Sequence, residues 1–481
     1  MKSQEAKLLP SLPKKVVENI TGFQLCSYLI ALEGWRRGLE LKYYRDETPL
    51  CELSRLNSST HGKFCSLSNG SNKHYFFRSR GDKVSNQAVS VCENKEETKS
   101  CLQRSNVPIP LGKTLKTDED IINYANEIGY PVIIKPLNGS MGRGVYINIS
   151  NSEELSGILK EVRKKHSYRQ YIVEKHYNGE EYRMYVVGDK VIGATNRIPA
   201  NVIGDGINTI EKLIEFKNNE RKKNPYLSQK PIKIDYEVTY MLERAGYNLE
   251  SIPDKGEHIF LREKSNLSSG GDPIEATDEI SEEVKQIAVN ALQALPSIPH
   301  AGVDIIVDPK DNRKGVVLEV NATAEISFHL FPLVGKAKDI PGAIIDYYFP
   351  ETVGQKKSMF YFDYLSLLVS LKAHAIEEVK VIQTPLKEMF AKKYIVEGTV
   401  NRVGYMTFIK KEALKENLFG YAKKIGKNKI EIYLLGEDKE VIEKFRNKVK
   451  KGSKRSVVKN IEEQNMIYNN KPRKTGFKII S

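Results

Sequence analysis

The sequence predicts a mixed α/β or α+β protein with more than one domain. Strand-like and helix-like segments alternate from Asp118 to about Pro350, with glycine, proline and asparagine turns between them. From Tyr394 a second pattern runs strand, helix, strand, strand, helix, strand, which is typical of a ferredoxin-like unit. The 481 residues are 40% apolar and 28% charged, as in ordinary globular proteins, and suffice for several cores.

The first 91 residues are expected to form a small N-terminal domain. The pattern predicts an amphipathic helix over residues 23–38, a strand at LELKYY (39–44), a loop in the serine- and asparagine-rich residues 54–72, and a strand at HYFF (74–77). All five cysteines lie within the first 101 residues, and none forms a CxxC pair. We therefore expect free thiols in a reducing compartment.

No targeting or membrane segment is predicted. The N-terminal residues MKSQEAKLLPSLPKK lack the apolar run of a signal peptide. The longest apolar segment, residues 359–375, is interrupted by Asp363 and Lys372 and is too short to cross a bilayer. We expect it to be a buried helix within a helical connector over residues 352–390. A cytoplasmic protein without a membrane partner is the resulting expectation.

Residues 131–147, PVIIKPLNGSMGRGVYI, combine a strand, a lysine and a glycine-rich loop. Glycines at 139, 142 and 144 allow backbone amides to surround a phosphate, and Lys135 adds a positive charge immediately before the loop. An ordinary glycine turn is the alternative. The chain has neither a P-loop nor a Rossmann fingerprint, so those two nucleotide-binding folds are disfavoured.

Residues 171–187 follow as two strands around Asn178 and Gly179. The extended YIVEK segment can offer backbone groups to an adenine edge, and the carboxylate of Glu181 can accept hydrogen bonds from ribose hydroxyls. A hairpin with an exposed acidic turn is the alternative.

Two carboxylates face each other on a predicted hairpin formed by residues 301–307 and 315–320. A turn symmetric about Asp311 and Asn312 places Asp304 opposite Glu319, with Asn321 on the same face as Glu319. Facing carboxylates repel each other unless a cation lies between them, and an all-oxygen ligand set suits Mg²⁺. A solvated pair on an edge hairpin is the alternative.

Together these segments resemble an ATP-grasp domain over residues 92–351, of the kind found in the amide-forming half of cyanophycin synthetases and in glutathione synthetases and RimK-type ligases. Residues 1–91 loosely resemble the small domain that precedes such domains. The matching runs are GYPVIIKPLNGSMGRGV, YIVEKHYNGEEYRMYVVGDKVIGATNRIPANVIGDGINTIEKLI, FLREKSNLSSGGDPIEATD, GVDIIV and VLEVNA.

The resemblance implies a role for each matching residue. The residues that match contacts to the ATP phosphates are Lys95, Lys135, Gly139, Ser140, Gly142 and Gly144; Glu174 matches the adenine contact and Glu181 the ribose contact. The residues that match ligands of Mg²⁺, with Mn²⁺ as an alternative, are Asp304, Glu319 and Asn321. The residues that match contacts to the γ-phosphate or the acyl phosphate are Arg183, Arg197, Arg262 and Asn266.

The resemblance also implies a reaction in which ATP phosphorylates a carboxylate and an amine attacks the acyl phosphate, on amino acid or peptide substrates. The family's EVNAxPG run reads EVNATAEISFH here, with Ala324 and Glu325 in place of Pro-Gly. We therefore expect metal binding to persist while the substrate differs. The Mur-ligase-like half of cyanophycin synthetases is missing, so a single ligation is expected, and relatives of this type are often homo-oligomers.

Residues 391–481 carry most of the net charge of +14, with 23 lysines and arginines against 10 acidic residues. They resemble an acylphosphatase domain, but Met406 replaces the catalytic arginine and Lys424 the catalytic asparagine, while Arg402 lies in the phosphate-binding loop. We expect a module that binds an anionic partner; a docking domain with a solvated basic surface is the alternative. For the whole chain, an acylphosphatase-type hydrolase and an ATP-sensing binding protein are the competing hypotheses.

Overall fold

The computed structural model describes residues 6–45, 53, 59–137, 144–165, 170–372 and 376–480. It confirms the mixed α/β class. Four sheets of four or five strands account for most of the strands in these residues. Separate apolar cores lie against each of these sheets.

The N-terminal sheet packs against one helix that is buried almost all round. Every residue from Leu25 to Arg36 in this helix is buried, so it is not the amphipathic helix that the sequence predicted. The prediction of a loop over residues 54–72 was wrong for Phe64–Ser68, because these residues form a strand in which Phe64, Cys65 and Leu67 are buried. The elements are α1 (Gly22–Arg36), β1 (Glu40–Tyr44), β2 (Phe64–Ser68), β3 (Lys73–Phe77) and β4 (Arg80–Gly81).

A second, antiparallel sheet has the strand order β5-β8-β6-β7 and carries the lysine-bearing strand. Asn94 caps the N-terminus of the helix Lys95–Arg104, which precedes this sheet in the chain. Its side chain accepts hydrogen bonds from the backbone amides of Glu96 and Glu97, and this fixes where the helix begins. The elements are α2 (Asn86–Glu93), α3 (Lys95–Arg104), β5 (Gly112–Leu115), α4 (Asp118–Ile128), β6 (Val132–Pro136), β7 (Tyr146–Ile149), α5 (Ser152–Lys165) and β8 (Tyr171–Lys175).

The third sheet, in the order β13-β10-β9-β14-β15, is antiparallel throughout and holds the predicted metal-binding hairpin at one edge. The elements are β9 (Glu180–Val187), β10 (Lys190–Ile198), β11 (Asn201–Ile203), α6 (Ile210–Arg221), α7 (Tyr236–Arg244), β12 (His258–Phe260), β13 (Asp272–Glu275), α8 (Glu282–Gln293), β14 (His300–Val307), β15 (Gly315–Asn321), α9 (Ser327–Leu330) and α10 (Ile340–Tyr348).

The segment predicted as a helical connector also contains two strands: β16 (Phe360–Tyr361) and β17 (Glu378–Lys380) flank α11 (Tyr364–Lys372). Strand β17 pairs with β1 and so extends the N-terminal sheet. Helix α11 is only half buried, because Leu371 is buried while Val369 is 71% exposed. The prediction of a fully buried helix was wrong. In the described part of the chain, no helix has both the length and the apolar character needed to cross a membrane.

The C-terminal unit has the predicted βαββαβ order, and its sheet runs β21-β18-β20-β19-β23. The basic tail adds two short strands that the sequence pattern did not indicate, one pairing with β16 and one with β19. The elements are β18 (Phe390–Thr399), α12 (Tyr405–Lys415), β19 (Phe419–Gly426), β20 (Lys429–Gly436), α13 (Lys439–Lys451), β21 (Val457–Met466), β22 (Arg473–Lys474) and β23 (Phe477–Ile480).

Candidate active site

The hairpin of β14 and β15 has the predicted register at the positions of the proposed metal ligands. Asp304 pairs with Glu319, and Gly302 pairs with Asn321. Beyond Asp304 an irregularity shifts the register, so that Ile305 pairs with Val317. The two carboxylates therefore lie side by side at the edge of the sheet.

Asp304 is buried and held by two arginines from neighbouring strands. Its carboxylate accepts from Nε and Nη2 of Arg183, both at 2.5 Å, and its Oδ2 lies 2.9 Å from Nη2 of Arg197. Burial alone would raise the pKa of Asp304, but the two guanidinium groups lower it below its ordinary value. The carboxylate is therefore ionised at neutral pH.

Arg197 also joins this cluster to the predicted ribose contact. Its Nη2 donates to the carboxylate of Glu181, which also hydrogen-bonds the side chain of Ser265. The four side chains of Asp304, Arg183, Arg197 and Glu181 thus form one network, which we call the arginine cluster.

A second cluster lies on the neighbouring sheet. Glu174 is 1% exposed and is clamped between Lys135, whose Nζ is 2.7 Å from Oε2, and Lys99, which contacts Oε1. Burial would raise the pKa of Glu174, but the two ammonium groups outweigh it and lower the value. We call Glu174, Lys99, Lys135 and the neighbouring Lys95 the lysine cluster.

Lys95 links the rest of the lysine cluster to the hairpin electrostatically. Burial lowers its pKa; the negative charges of Glu319 and Glu174 oppose this effect, and the positive charge of Lys135 adds to it. Glu319 also interacts with Arg183 of the arginine cluster. Of the predicted phosphate and metal residues, Lys95, Lys135 and Glu319 are therefore brought together in one region.

Sequence reasoning missed Lys99. Lys95 and Lys99 are four residues apart on α3, so they share a helix face, and that spacing was the available signal. It also missed His329, whose Nδ1 is 2.9 Å from Oγ1 of Thr195. Burial and the nearby charges of Arg183 and Arg197 lower the pKa of His329 to about 3, so this ring is neutral.

Two predicted phosphate residues have other partners. Arg262 forms ion pairs with Asp235, at 2.6 Å, and with Glu237, both at the start of α7. Asn266 accepts hydrogen bonds from the backbone and hydroxyl of Ser268, at 2.9 and 2.8 Å. Glu181 of the arginine cluster interacts with Ser265, which immediately precedes Asn266 in this loop.

Only part of the glycine-rich loop lies within the described residues. Gly139, Ser140 and Gly142 lie outside the described residues. Gly144, at the end of the loop, has φ +69°, a left-handed conformation that suits glycine.

The hairpin residues fit a hard divalent cation. Among the described residues, the amide nitrogen of Asn321 is buried without a hydrogen-bond partner, so no contact of this nitrogen ties the side chain elsewhere, and its amide oxygen is the atom suited to a cation. In the described ranges, no group of three or more His, Cys, Asp and Glu residues has metal-binding geometry, and the predicted set contains only two carboxylates. Carboxylate and amide oxygens are what Mg²⁺ prefers.

In the C-terminal unit, the predicted phosphate-binding loop is a turn that contains two residues with left-handed backbone conformation. Arg402, with φ +58°, and Gly404, with φ +75°, form the turn before α12. Met406 packs against the core of the unit, and Lys424 is an exposed residue of β19.

Comparison with known proteins agrees with this geometry. Residues 92–205 match the model of the RimK-like ATP-grasp domain, and residues 392–479 match that of acylphosphatase. The chain thus carries an ATP-grasp domain. More particularly, this is a RimK-like ATP-grasp domain followed by an acylphosphatase domain.

The relatives include synthetases. Cyanophycin synthetase of Crocosphaera subtropica is 35% identical over 272 residues, covering 55% of this chain and 31% of the relative. The glutathione biosynthesis bifunctional protein GshAB of Clostridium perfringens is 30% identical over 346 residues, covering 69% and 42%. The chain spans less than half the length of each.

Two solved structures are also similar. The bifunctional glutathione synthetase from Pasteurella multocida aligns with a TM-score of 0.48 and 27% identity, covering 62% of this chain and 41% of that one. The acylphosphatase from Bacillus subtilis aligns with a TM-score of 0.17 and 26% identity, covering 19% of this chain and 99% of that one.

Proposed function

We propose that this protein is an ATP- and Mg²⁺-dependent ligase that joins a carboxylate to an amine through an acyl phosphate, releasing ADP and phosphate. The observation that carries the proposal is that Lys95 of the lysine cluster interacts electrostatically with Glu319, which in turn interacts with Arg183 of the arginine cluster. The family of the ATP-grasp domain supports the same reaction type.

The lysine cluster is suited to ATP phosphates. Lys95, Lys99 and Lys135 place three positive charges around the single buried carboxylate of Glu174. The excess positive charge attracts a polyphosphate, and ammonium groups act as point charges for phosphate oxygens. We propose that Glu174 and the backbone of the segment that follows it contact the adenine and that Glu181 contacts the ribose.

The hairpin would hold the divalent ion. Asp304, Glu319 and Asn321 are the proposed ligands, for Mg²⁺ with Mn²⁺ as an alternative. When bound, the ion supplies positive charge against the phosphate oxygens. Asp304 would then exchange some of its contact with Arg183 and Arg197, which frees guanidinium donors for the transferred phosphoryl group.

The arginine cluster is suited to the acyl phosphate. Guanidinium groups give two-point hydrogen bonds to phosphate, and Arg183 is almost fully enclosed by protein. We propose that Arg183 and Arg197 bind the γ-phosphate and then the acyl phosphate, with Arg262 and Asn266 joining when their loop closes. No protein nucleophile is needed, because the amine itself attacks.

Amino acids or peptides are the proposed substrates. The relatives are named for the synthesis of cyanophycin and of glutathione, and glutathione is a peptide. We further propose the domain bounds 1–91, 92–351, 352–390 and 391–481, and a homo-oligomeric state.

The experiment is to incubate the protein with ATP, Mg²⁺ and pooled amino acids. ADP and phosphate should appear, and mass spectrometry should find adducts one water lighter than the sum of two amino acids. Lys135→Ala and Glu319→Ala should abolish both signals, whereas Lys116→Ala, at an exposed lysine directly after β5, should not. Absence of ADP formation with any carboxylate and amine pool would contradict the proposal.

For the C-terminal unit we propose anion binding without hydrolysis. Arg402 lies in the loop that precedes α12, and the surrounding residues carry a surplus of positive charge. An acidic peptide or a phosphorylated substrate fits this surface.

A further inference from the structure

Another acidic residue, Glu325, lies near the arginine cluster and has no role in the reaction described so far. Glu325 follows the metal-binding strand by four residues, in the turn between β15 and α9. Its Oε1 accepts from the thiol of Cys26, at 2.6 Å, and from the backbone amide of Ser327, at 3.2 Å. In the described residues no hydrogen bond reaches its other oxygen, Oε2, and the side chain is only half buried.

The contact with Cys26 fixes the carboxylate in place. Cys26 is fully buried on α1, and its sulfur also lies 3.4 Å from the hydroxyl of Ser327. Burial, followed by the charge of Glu325, raises the pKa of this thiol well above its ordinary value. The thiol therefore stays protonated and donates to Oε1 of Glu325, which leaves Oε2 able to accept a hydrogen bond from another donor.

Two cations accompany Glu325. Lys230 and Arg78 both interact electrostatically with its carboxylate, and burial lowers the pKa of each. The Lys230 ammonium lies 3.3 Å from the ring centre of Tyr226, and the Arg78 guanidinium lies 3.8 Å from that of Phe23. One carboxylate and two cations thus share a region with aromatic walls.

This region adjoins the reaction centre. Tyr226 interacts electrostatically with Glu325 and also with Arg183 and Arg197. A Cβ on Gly302 would lie 2.7 Å from the Cβ of Ala324 and 3.3 Å from Cδ of Arg183. The residue next to Glu325 is therefore in contact range of the arginine cluster.

We propose that this region is the subsite for the attacking amine, and that the amine is a free α-amino acid whose ammonium group contacts Oε2 of Glu325 and whose carboxylate contacts Lys230. An ammonium and a carboxylate separated by one carbon match the mixed charges of the subsite. The inference rests on the proposed ligase function and names one of its two substrates.

Glu325 then has a chemical role. An ammonium ion has no lone pair and does not attack, so one proton must leave before the new bond forms. The proton passes to Glu325, the amine nitrogen bonds to the acyl carbon, the acyl carbon–oxygen bond breaks, and phosphate leaves with the electron pair. The second amine proton is lost as the amide forms.

Binding tests the subsite without turnover. Each of the twenty amino acids, its 2-hydroxy acid analogue and its α-amide would be added to the full chain with AMP-PNP and Mg²⁺, and Tm recorded. At least one amino acid should raise Tm, and its two analogues should raise it by less than half as much. Glu325→Gln should lose the increase, whereas Glu283→Gln, an exposed acid at the start of α8, should keep it.

Two results would overturn the proposal: no amino acid raises Tm of the wild type, or Glu325→Gln responds as the wild type does. A chemical trap separates this failure from failure of the ligase function. Hydroxylamine is uncharged at neutral pH and converts acyl phosphates to hydroxamates, so it needs no ammonium subsite. If the wild type forms hydroxamate but no amino acid raises its Tm, the proposed ligase function stands and the proposed subsite is contradicted.

The same trap gives a kinetic readout. Glu325→Gln should lower the ratio of amide to hydroxamate by about 100-fold, since loss of a general base costs roughly that much. An unchanged ratio would contradict the assigned role. Cys26→Ser, which keeps a donor to Oε1, should lower the ratio far less than Cys26→Val.

Discussion

Arg183 and Asp304 face each other across β9 and β14, and two hydrogen bonds of 2.5 Å join their side chains. Both side chains are nearly excluded from solvent, with 13% and 7% exposed. The pair therefore serves the fold as well as the proposed chemistry, because removing Asp304 leaves the Arg183 guanidinium buried without its ion-pair partner, and removing Arg183 leaves the buried Asp304 carboxylate with Arg197 alone.

Asp304→Asn should destabilise the protein. The substitution leaves the buried Arg183 without its counterion, which costs about 3–5 kcal/mol of unfolding free energy. Urea unfolding of variant and wild type measures the difference. Asp311→Asn, which removes the ion pairs with Arg313 and Lys314 at the tip of the same hairpin, should leave the unfolding midpoint unchanged. Equal midpoints for Asp304→Asn and wild type would contradict the account.

Lys135→Ala should weaken ATP binding. The substitution removes one of the two ammonium groups that clamp Glu174, and a charge-assisted contact to phosphate is worth about 1.5–3 kcal/mol, or roughly 10- to 100-fold in Kd. Isothermal titration with ATP and Mg²⁺ measures this. Lys99→Ala should have a similar effect, which would place the residue missed by sequence reasoning in the phosphate site. If only Lys135→Ala weakens binding, Lys99 has a structural role alone.

Stability should fall as the pH drops below about 6.5, because of His300. Burial lowers its pKa from the ordinary 6.5 to about 3, and its Nδ1 lies 3.1 Å from the hydroxyl of Tyr185. The unfolded chain takes up a proton that the folded chain does not, so this contribution is complete above pH 6.5 and is lost progressively toward pH 3.

Urea unfolding between pH 4.5 and 7 checks this dependence. His300→Gln should reduce the slope of unfolding free energy against pH by about 1.4 kcal/mol per pH unit, the value for one proton. The slope can be compared even though the substitution also lowers the stability itself. An unchanged slope would mean that His300 is protonated in the folded protein.

The full chain should not hydrolyse acetyl phosphate faster than buffer does. Met406 has no charge to place against the acyl phosphate, and it packs against the core of the C-terminal unit. Release of phosphate measures the rate. Hydrolysis above background that disappears in Arg402→Ala would instead support the acylphosphatase hypothesis.

The residues nearest the proposed metal could be predicted because their contact is local. Asp304 and Glu319 belong to one hairpin, so a symmetric turn and the two-residue period of strands were enough to pair them. The register shift after Asp304 has no comparable signal, and the pairs nearest the turn, such as Ile305 with Val317, differ from a symmetric arrangement.

The contacts of Glu174 could not be predicted in the same way. They depend on α3 approaching β8, which is nearly 70 positions later in the chain, and on β6 pairing beside it. The prediction that α1 is amphipathic was wrong because it also depended on contacts with distant parts of the chain. A helix that is enclosed on all sides can still contain polar residues if these have hydrogen-bond partners, and Arg36 donates to the carbonyl of Phe360 at 2.8 Å. Strand β2 was missed because its serine-rich surroundings resemble a loop.

Strand β17 closes one edge of the N-terminal sheet with residues that come after the entire ATP-grasp domain. A fragment ending at residue 351 would leave the backbone of β1 unsatisfied and open to pairing with another molecule. Anyone preparing the ATP-grasp portion on its own should therefore keep the chain through Lys380, and shorter fragments are expected to aggregate.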